Sequence, residues 1–269
     1  MIFISFNING LRAHLHQLDA IINKYNPDVI GLQETKVDDS MFPLNFILNN
    51  YKYYVYFYGQ KKYYGVAFLC KEKPIFIQKG FITDNKNSEK RIIILKLMTS
   101  KGIITIINCY VPQGENCNNI IKFSKKKIFY KKINNYINNN CFNESFCIIM
   151  GDMNIAPSNL DIGIGKKNYI NWLNSGKCSF LPKERKWINK LFSLGFIDVY
   201  RKIHPFIKNK YSWFDYRSNG FIKNKGLRID LFLVSNNLYK YINYSDIDYS
   251  IREMNKPSDH APIWVKFNI

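Results

Sequence analysis

Polar side chains stand where apolar runs begin or end. Asn7 closes "FISFN", Glu34 closes "VIGLQE", Tyr110 closes "IINCY", and Asp152 and Asn154 follow "IIMG". Asp230 opens "RIDLFLV", and Asp259 and His260 stand just before "APIWVKFN". Asn7 and Glu34 offer hard oxygen ligands of the kind that suit Mg²⁺ or Mn²⁺. Asp152 can align or deprotonate a water, with Asn154 beside it. Asp230 can orient the His260 ring, raise its pKa and fix its tautomer. Tyr110 adds a hydroxyl for developing negative charge. Together these groups supply what phosphodiester hydrolysis requires: a nucleophile, a Lewis acid and donors around the phosphoryl oxygens. Taken singly, each has an ordinary structural use. Asp and Asn at strand ends commonly form turns or caps, and His260 or Tyr110 can simply pack. The coincidence across six strands is what turns favours less.

The elements that must position these groups follow from periodicity. Strands are expected over 2–8, 28–33, 52–59, 64–71, 75–81, 91–98, 102–111, 146–152, 228–234 and 261–268. Helices are expected over 11–25, 123–140 and 183–194. The middle strands follow one another without intervening helices, which is antiparallel meander behaviour. So many strands exceed one comfortable open sheet, so two sheets packed face to face with helices outside are expected, an α+β fold. No linker composition or internal repeat interrupts the chain, and a single domain over 1–269 is expected. If the last two strands run against the first four, the polar groups gather on one rim. Gly151 is expected to let the backbone approach a phosphate. Asp152 and Asn154, two apart on an extended chain, are expected to point to the same side.

The 269 residues carry 39 Lys and Arg against 20 Asp and Glu, a formal charge of +19. Such a field attracts polyanions, although abundant Lys, Asn and Ile also fit an AT-rich genome. The cysteines Cys70, Cys109, Cys117, Cys141, Cys147 and Cys178 show no metal-binding spacing, and reduced thiols in a cytoplasmic protein are expected. The start "MIFISFNING" has no leader character, and no apolar run is long enough for a membrane span.

The blocks "SFNINGLRA", "PDVIGLQETKV", "INCYVPQGE", "IMGDMNIAP", "LDIGIG", "SWFDYRS", "GLRIDLFLVS" and "KPSDHAP" occur in this order. In these blocks the chain resembles the bacterial exonuclease III family, within the exonuclease–endonuclease–phosphatase superfamily, over nearly its whole length. The resemblance implies a four-layer α/β sandwich of two mixed sheets, like deoxyribonuclease I. It implies a monomeric, Mg²⁺-dependent DNA repair enzyme, with Mn²⁺ able to substitute. The implied substrate is double-stranded DNA with abasic sites, nicks or 3′ ends, with no membrane partner. The implied activities are incision 5′ to abasic sites, 3′→5′ exonuclease action and removal of 3′-blocking groups in base excision repair. The family's metal position falls on Glu34, helped by Asn7, with Asp259 beside the metal. Its water-activating position falls on Asp152, supported by Asn154, its Asp–His pair on Asp230 and His260, and Tyr110 on the phosphate. Trp213, Leu227 and Ile229 match its pocket for a flipped abasic sugar, and Arg91, Gln113, Lys122 and Arg217 resemble backbone-contacting or wedge positions. Cys109 departs from the Gly more usual beside the tyrosine. Two rivals share parts of this pattern: a phosphatase or sphingomyelinase with a non-nucleic substrate, and a DNA-binding module without activity.

Overall fold

The computed structural model describes residues 1–141 and 146–269. Among the described residues, fourteen strands form two six-stranded sheets and one small ribbon. In chain order they are β1 (Ile2–Asn7), β2 (Val29–Gln33), β3 (Tyr54–Tyr58), β4 (Val66–Cys70), β5 (Phe76–Lys79), β6 (Ile92–Thr99) and β7 (Gly102–Tyr110). There follow β8 (Phe146–Asp152), β9 (Phe196–Asp198), β10 (Trp213–Phe214), β11 (Gly226–Leu227), β12 (Asp230–Ser235), β13 (Ile242–Ile247) and β14 (Ile263–Phe267). The first sheet has the order β13-β14-β1-β2-β4-β3 and the second β5-β6-β7-β8-β12-β9. Both are mixed: β1 pairs parallel with β2, and β7 parallel with β8, while their other neighbours run antiparallel. The expected meander is present but divided, because β3 and β4 close one sheet and β5 to β7 open the other.

The strands read as nearly continuous apolar runs because both faces of each sheet are covered. Between the sheets lie Phe3, Phe68, Leu95, Ile106, Ile148 and Phe232. The next residue along often turns outward: Ile4, Phe6 and Ile30 pack with Leu18 and Ile21 of the Leu15–Tyr25 helix. On the other side Ile107 and Ile149 meet Phe129, Tyr130 and Ile133 of the Ile120–Asn140 helix, and Ile188 and Leu191 of the Pro182–Ser193 helix. The result is helix, sheet, sheet, helix, the expected four-layer sandwich. No helix among the described residues is long and apolar enough to cross a membrane.

Three polar side chains lie inside the inter-sheet layer near the functional rim. Gln33 Nε2 donates to Ser5 Oγ at 3.0 Å and to Asn108 Oδ1 at 2.7 Å, and Asn108 Nδ2 donates to the Leu32 and Ala67 carbonyls at 3.0 and 2.9 Å. This network joins β1, β2, β4 and β7 where an apolar contact would fix no angular relation.

Several elements differ from expectation for local reasons. The first helix divides into a 3₁₀ turn, Leu11–Ala13, and the α-helix proper, with His14 between them at φ −122°. β13 was not expected: "INYSDI" is an edge strand with a shift in register, exposing Asn243 and Tyr244 and burying Ser245 and Ile247. The Lys166–Ser175 helix was also not expected: its apolar face is short, Tyr169, Trp172 and Leu173, and packs partly buried beside Phe180.

Candidate active site

β12 runs against β8 and places Asp230 opposite Asp152, while β7 runs with β8 and places Tyr110 beside it. β1 and β2 end together at Asn7 and Gln33, and β14 enters against β1. The predicted gathering on one rim is therefore what the strand directions produce. At these exits the chain turns through left-handed, non-glycine residues: Asn9 (φ 48°), Glu34 (φ 51°), Lys36 (φ 52°) and Asn154 (φ 51°). Each such residue costs of order 1 kcal/mol and persists only where its surroundings hold it.

Asp152 is the centre of the cluster. Asn7 Nδ2 donates to its Oδ2 at 3.0 Å, Asn154 Nδ2 to the same oxygen at 3.1 Å, and the Asn154 peptide N–H to Oδ1 at 2.9 Å. The extended-chain expectation for Asp152 and Asn154 fails in its detail. Asn154 reaches back to Asp152 because the chain turns at a left-handed residue, and its amide also donates to the Val111 carbonyl at 2.9 Å. Gly151 also has a different role from the one expected. At φ 139°, a Cβ there would lie 1.9 Å from the Cys109 carbonyl oxygen, so glycine allows β7 and β8 to approach.

His260 Nδ1 lies 2.8 Å from Asp230 Oδ2, and its Nε2 lies 3.9 Å from Asp152 Oδ2. Burial alone would lower the imidazole pKa, but Asp230 more than offsets it and raises it to about 10. Burial, then the charge of Asp230, pushes Asp152 up to about 8. Glu34 behaves oppositely: burial favours its neutral form, yet Lys36 at 2.8 Å holds it below the usual carboxylate value. The Tyr110 hydroxyl bonds to Glu34, and burial followed by that carboxylate raises its pKa well above the ordinary phenol.

Glu34, Tyr110, Asp152, Asp259 and His260 open on one cavity of about 270 Å³. Asn154, Gln113, Arg217, Trp213, Leu227 and Ile229 line the same cavity. Trp213 and Leu227 pair across β10 and β11, and Leu227 and Ile229 pack on Ala156, Ile164 and Phe180, which makes a fixed apolar wall. Trp213 Nε1 donates to Asp259 Oδ2 at 3.0 Å, tying that wall to the polar side. Asn7 lies behind the cavity, with its amide nitrogen bridging Glu34 (3.1 Å) and Asp152 and its oxygen accepting from the Asn9 N–H. It is therefore a bridge between carboxylates in this arrangement and does not present its oxygen to the cavity. Arg91 and Lys122 line a neighbouring hollow of about 240 Å³ that shares Gln113. Lys122 is exposed and paired with Glu115, whereas Arg91 is buried, paired with Glu89 and placed over the rings of Tyr64 (3.9 Å) and Tyr110 (4.5 Å). Its geometry supports Tyr110 from beneath.

Sequence reasoning missed Asn9 and Lys36. Asn9 Nδ2 donates to Asp259 Oδ1 at 2.8 Å and Asn9 Oδ1 accepts a bond from Lys36 Nζ, so the two link Glu34 to Asp259. Each stands two residues beyond an identified site residue, and that spacing was the available signal. Ser212 was also missed: its hydroxyl accepts from the Ile229 and Asp230 N–H groups at 3.0 Å.

The donor set fits a hard divalent cation. Asp152 and Asp230 present carboxylate oxygens within 4.8 Å of each other and of a His260 ring nitrogen, and Glu34 and Asp259 add carboxylates on the cavity itself. Asp230 Oδ1 is buried without a hydrogen-bond partner, and Asp152 is pushed towards its neutral form by burial and then by the charge of Asp230. Both are features that a bound cation relieves.

Residues 4–260 match the model of the endonuclease/exonuclease/phosphatase family. The chain is 53% identical to an exodeoxyribonuclease III of Haemophilus influenzae, over 99% of this chain and 100% of that protein. It superposes on a Neisseria 3′ phosphatase bound to a product DNA hairpin with a TM-score of 0.91, at 28% identity and full coverage of both chains. It superposes on an AP endonuclease of Archaeoglobus fulgidus with a TM-score of 0.89, at 31% identity and full coverage of both.

Proposed function

The chain belongs to the endonuclease/exonuclease/phosphatase family, and from that premise we propose that it is a Mg²⁺-dependent DNA repair phosphodiesterase. It incises duplex DNA 5′ to abasic sites, degrades from 3′ ends and removes 3′-blocking groups. The observation that carries the reading is one cavity with two unlike walls. One wall is Glu34, Asp152, Asp259 and His260, with Asp230 behind the imidazole, and the other is Trp213, Leu227 and Ile229. Names of relatives support the substrate: an exodeoxyribonuclease, an AP endonuclease and a 3′ phosphatase caught with a DNA product.

Asp152 holds the attacking water and takes its proton as the water oxygen bonds to phosphorus and the P–O3′ bond breaks, the 3′ oxygen leaving as a hydroxyl with a proton from solvent. A carboxylate raised towards neutrality is a stronger base than an ordinary one, and Asn7 and Asn154 fix which lone pairs remain free. His260, kept protonated by Asp230, offers its Nε2 proton to a phosphoryl oxygen. Tyr110 stays protonated and, on exchanging Glu34 for substrate, donates its one proton to the same phosphate. A divalent cation at Glu34 and Asp259 supplies Lewis-acid polarisation when bound. The apolar wall accepts a sugar that lacks its base and has no group to pair with an intact one, which selects the lesion. Gln113, Arg217 and Lys122 are assigned to the DNA backbone flanking the cavity, with Arg91 acting through Tyr110. One domain over 1–269, acting as a cytoplasmic monomer, belongs to the same proposal, since the first strand pairs with the last.

The test is incubation with duplexes carrying one abasic site or a 3′-phosphate, in Mg²⁺, Mn²⁺ or EDTA. Incision in metal and none in EDTA is expected. Binding without cleavage in Mg²⁺ would make the chain a DNA-binding module. Phosphate release from a non-nucleic ester, with DNA untouched, would favour the phosphatase rival.

A further inference from the structure

We infer that Lys126, on the buried face of the Ile120–Asn140 helix, is a positioning residue for the turn that carries Asp152. The inference rests on the nuclease reading above. Lys126 has no exposed surface. Its ammonium donates to the Asn154 carbonyl at 2.8 Å and to the Gln113 carbonyl at 3.1 Å, and pairs with the equally buried Glu184. Glu184 uses its other oxygen to accept the Ser179 and Leu181 N–H groups, each at 2.8 Å. Three segments of the cavity rim, those of Gln113, Asn154 and Ser179, are thus tied from below through their backbones to one ion pair. Space is matched to the tie, since a Cβ at Gly114 would come within 3.1 Å of the Lys126 stem. One helical turn further on, the Tyr130 hydroxyl donates to the Met153 carbonyl at 2.7 Å, so one helix face grips two successive carbonyls just beyond Asp152.

The path to chemistry is short. Among the described residues, Asn154 supplies two of the three hydrogen bonds donated to the Asp152 carboxylate, and it does so from a left-handed backbone that an unsupported asparagine rarely keeps. The charged donor on the Asn154 carbonyl holds that backbone. Packing alone does not call for this pair, because an apolar pair of similar volume avoids desolvating two charges.

The experiment replaces the pair together, Lys126→Met with Glu184→Gln, so that no unpaired charge stays buried. Turnover of a duplex with one abasic site is measured in Mg²⁺ per mole of folded enzyme, and Kd for the same duplex in EDTA. We expect kcat to fall at least fivefold with Kd within threefold. In an Asn154→Ala background the same replacement should lower kcat less than threefold, because the path runs through Asn154. A purely structural role would lower the melting temperature and the folded yield alike in both backgrounds. A fall in kcat smaller than fivefold overturns the inference, as does an undiminished fall in the Asn154→Ala background. If the pair variant does not fold, Lys126→Gln with Glu184→Gln is held to the same mark. Wild-type protein that fails to incise removes the functional reading and this inference with it. Wild-type incision with an unaffected variant removes only the role of Lys126.

Discussion

Two buried charge clusters lie side by side in this fold, and they are balanced differently. In one, Arg228 donates from Nε to Asp161 at 2.7 Å and from both terminal nitrogens to Asp198 at 3.0 and 2.6 Å, while Arg201 reaches Asp161 at 2.6 Å. Two guanidinium groups face two carboxylates. In the other, Glu34, Asp152, Asp230 and Asp259 gather around His260 and Lys36. Burial would push Asp161 up, but Arg228 holds it down at about 2, whereas nothing comparable restrains Asp152, which rises to about 8. Arg228 and Asp230 are two residues apart, yet they serve different clusters. A cluster that closes its own charge is a structural joint. A cluster left negative in a chain of charge +19 is where an outside cation and a phosphate belong.

The strongest way to break this contrast is at Asp152. Asp152→Asn should lower turnover on an abasic duplex by about a thousandfold or more, with Kd for the same duplex in EDTA little changed. Equal loss of binding would show that Asp152 holds the DNA-docking surface and not the water. At the balanced cluster the expected effect is the reverse. Arg228→Met leaves Asp161 and Asp198 buried without their shared partner, and should cost about 3–5 kcal/mol in urea unfolding. If it costs no more than an exposed arginine, the cluster is not the joint described.

The two clusters were not equally legible in the sequence. Strand ends bearing Asn7, Glu34, Tyr110, Asp152 and Asp230 could be seen because a polar residue at the end of an apolar run breaks a pattern. Asp161 caps the Asn159–Asp161 3₁₀ turn and Arg228 opens an expected strand, so each has an ordinary local reading, and their pairing is set by tertiary packing. Lys126 was hidden more thoroughly, because it lies within "KFSKKKIFY" among lysines that are exposed, and only the helix phase buries it. The long strands and helices were read to within a few residues, since both faces of each sheet demand apolar runs. β13 escaped because an edge strand needs apolar residues on one side only. Asn154 supports Asp152 as expected but from a different geometry, because the chain leaves β8 through a left-handed turn, and Gly151 is needed inside β8 because the Cys109 carbonyl of β7 comes close.

Acid separates the clusters further. The folded-state pKa of Asp161 is depressed below its unfolded value of about 3.9, so its contribution is complete above that value. It is lost as pH falls from about 4 through 2. Asp161→Asn should therefore be less stable than wild type at pH 6 by roughly 2 kcal/mol, and the difference should shrink towards pH 2. Asp152 has the opposite sign: its raised pKa opposes folding increasingly as pH rises from about 4 to 8 in metal-free buffer. Urea midpoints for wild type and Asp161→Asn from pH 2 to 6 check the first effect. A difference that stays constant with pH would mean that Asp161 is not held ionised by Arg228.

The smallest effect is expected where charge is neither buried nor balanced by the fold alone. Lys122 is exposed and paired with Glu115 at 2.5 Å, on the hollow that adjoins the cavity through Gln113. Solvent and salt screen such a pair, so its removal should leave folding unchanged. Its place beside the rim gives it a different reading in binding. If Lys122 exchanges Glu115 for a backbone phosphate, Lys122→Gln should weaken all duplexes alike, abasic or intact. The dependence of log K on log salt should then flatten by about 0.9, the release of one counterion. Glu115→Gln should act in the opposite direction, since it frees the ammonium before DNA arrives. Fluorescence anisotropy over a salt series in EDTA measures both. An unchanged slope in Lys122→Gln would place the DNA track elsewhere on the rim and leave Lys122 as solvated surface.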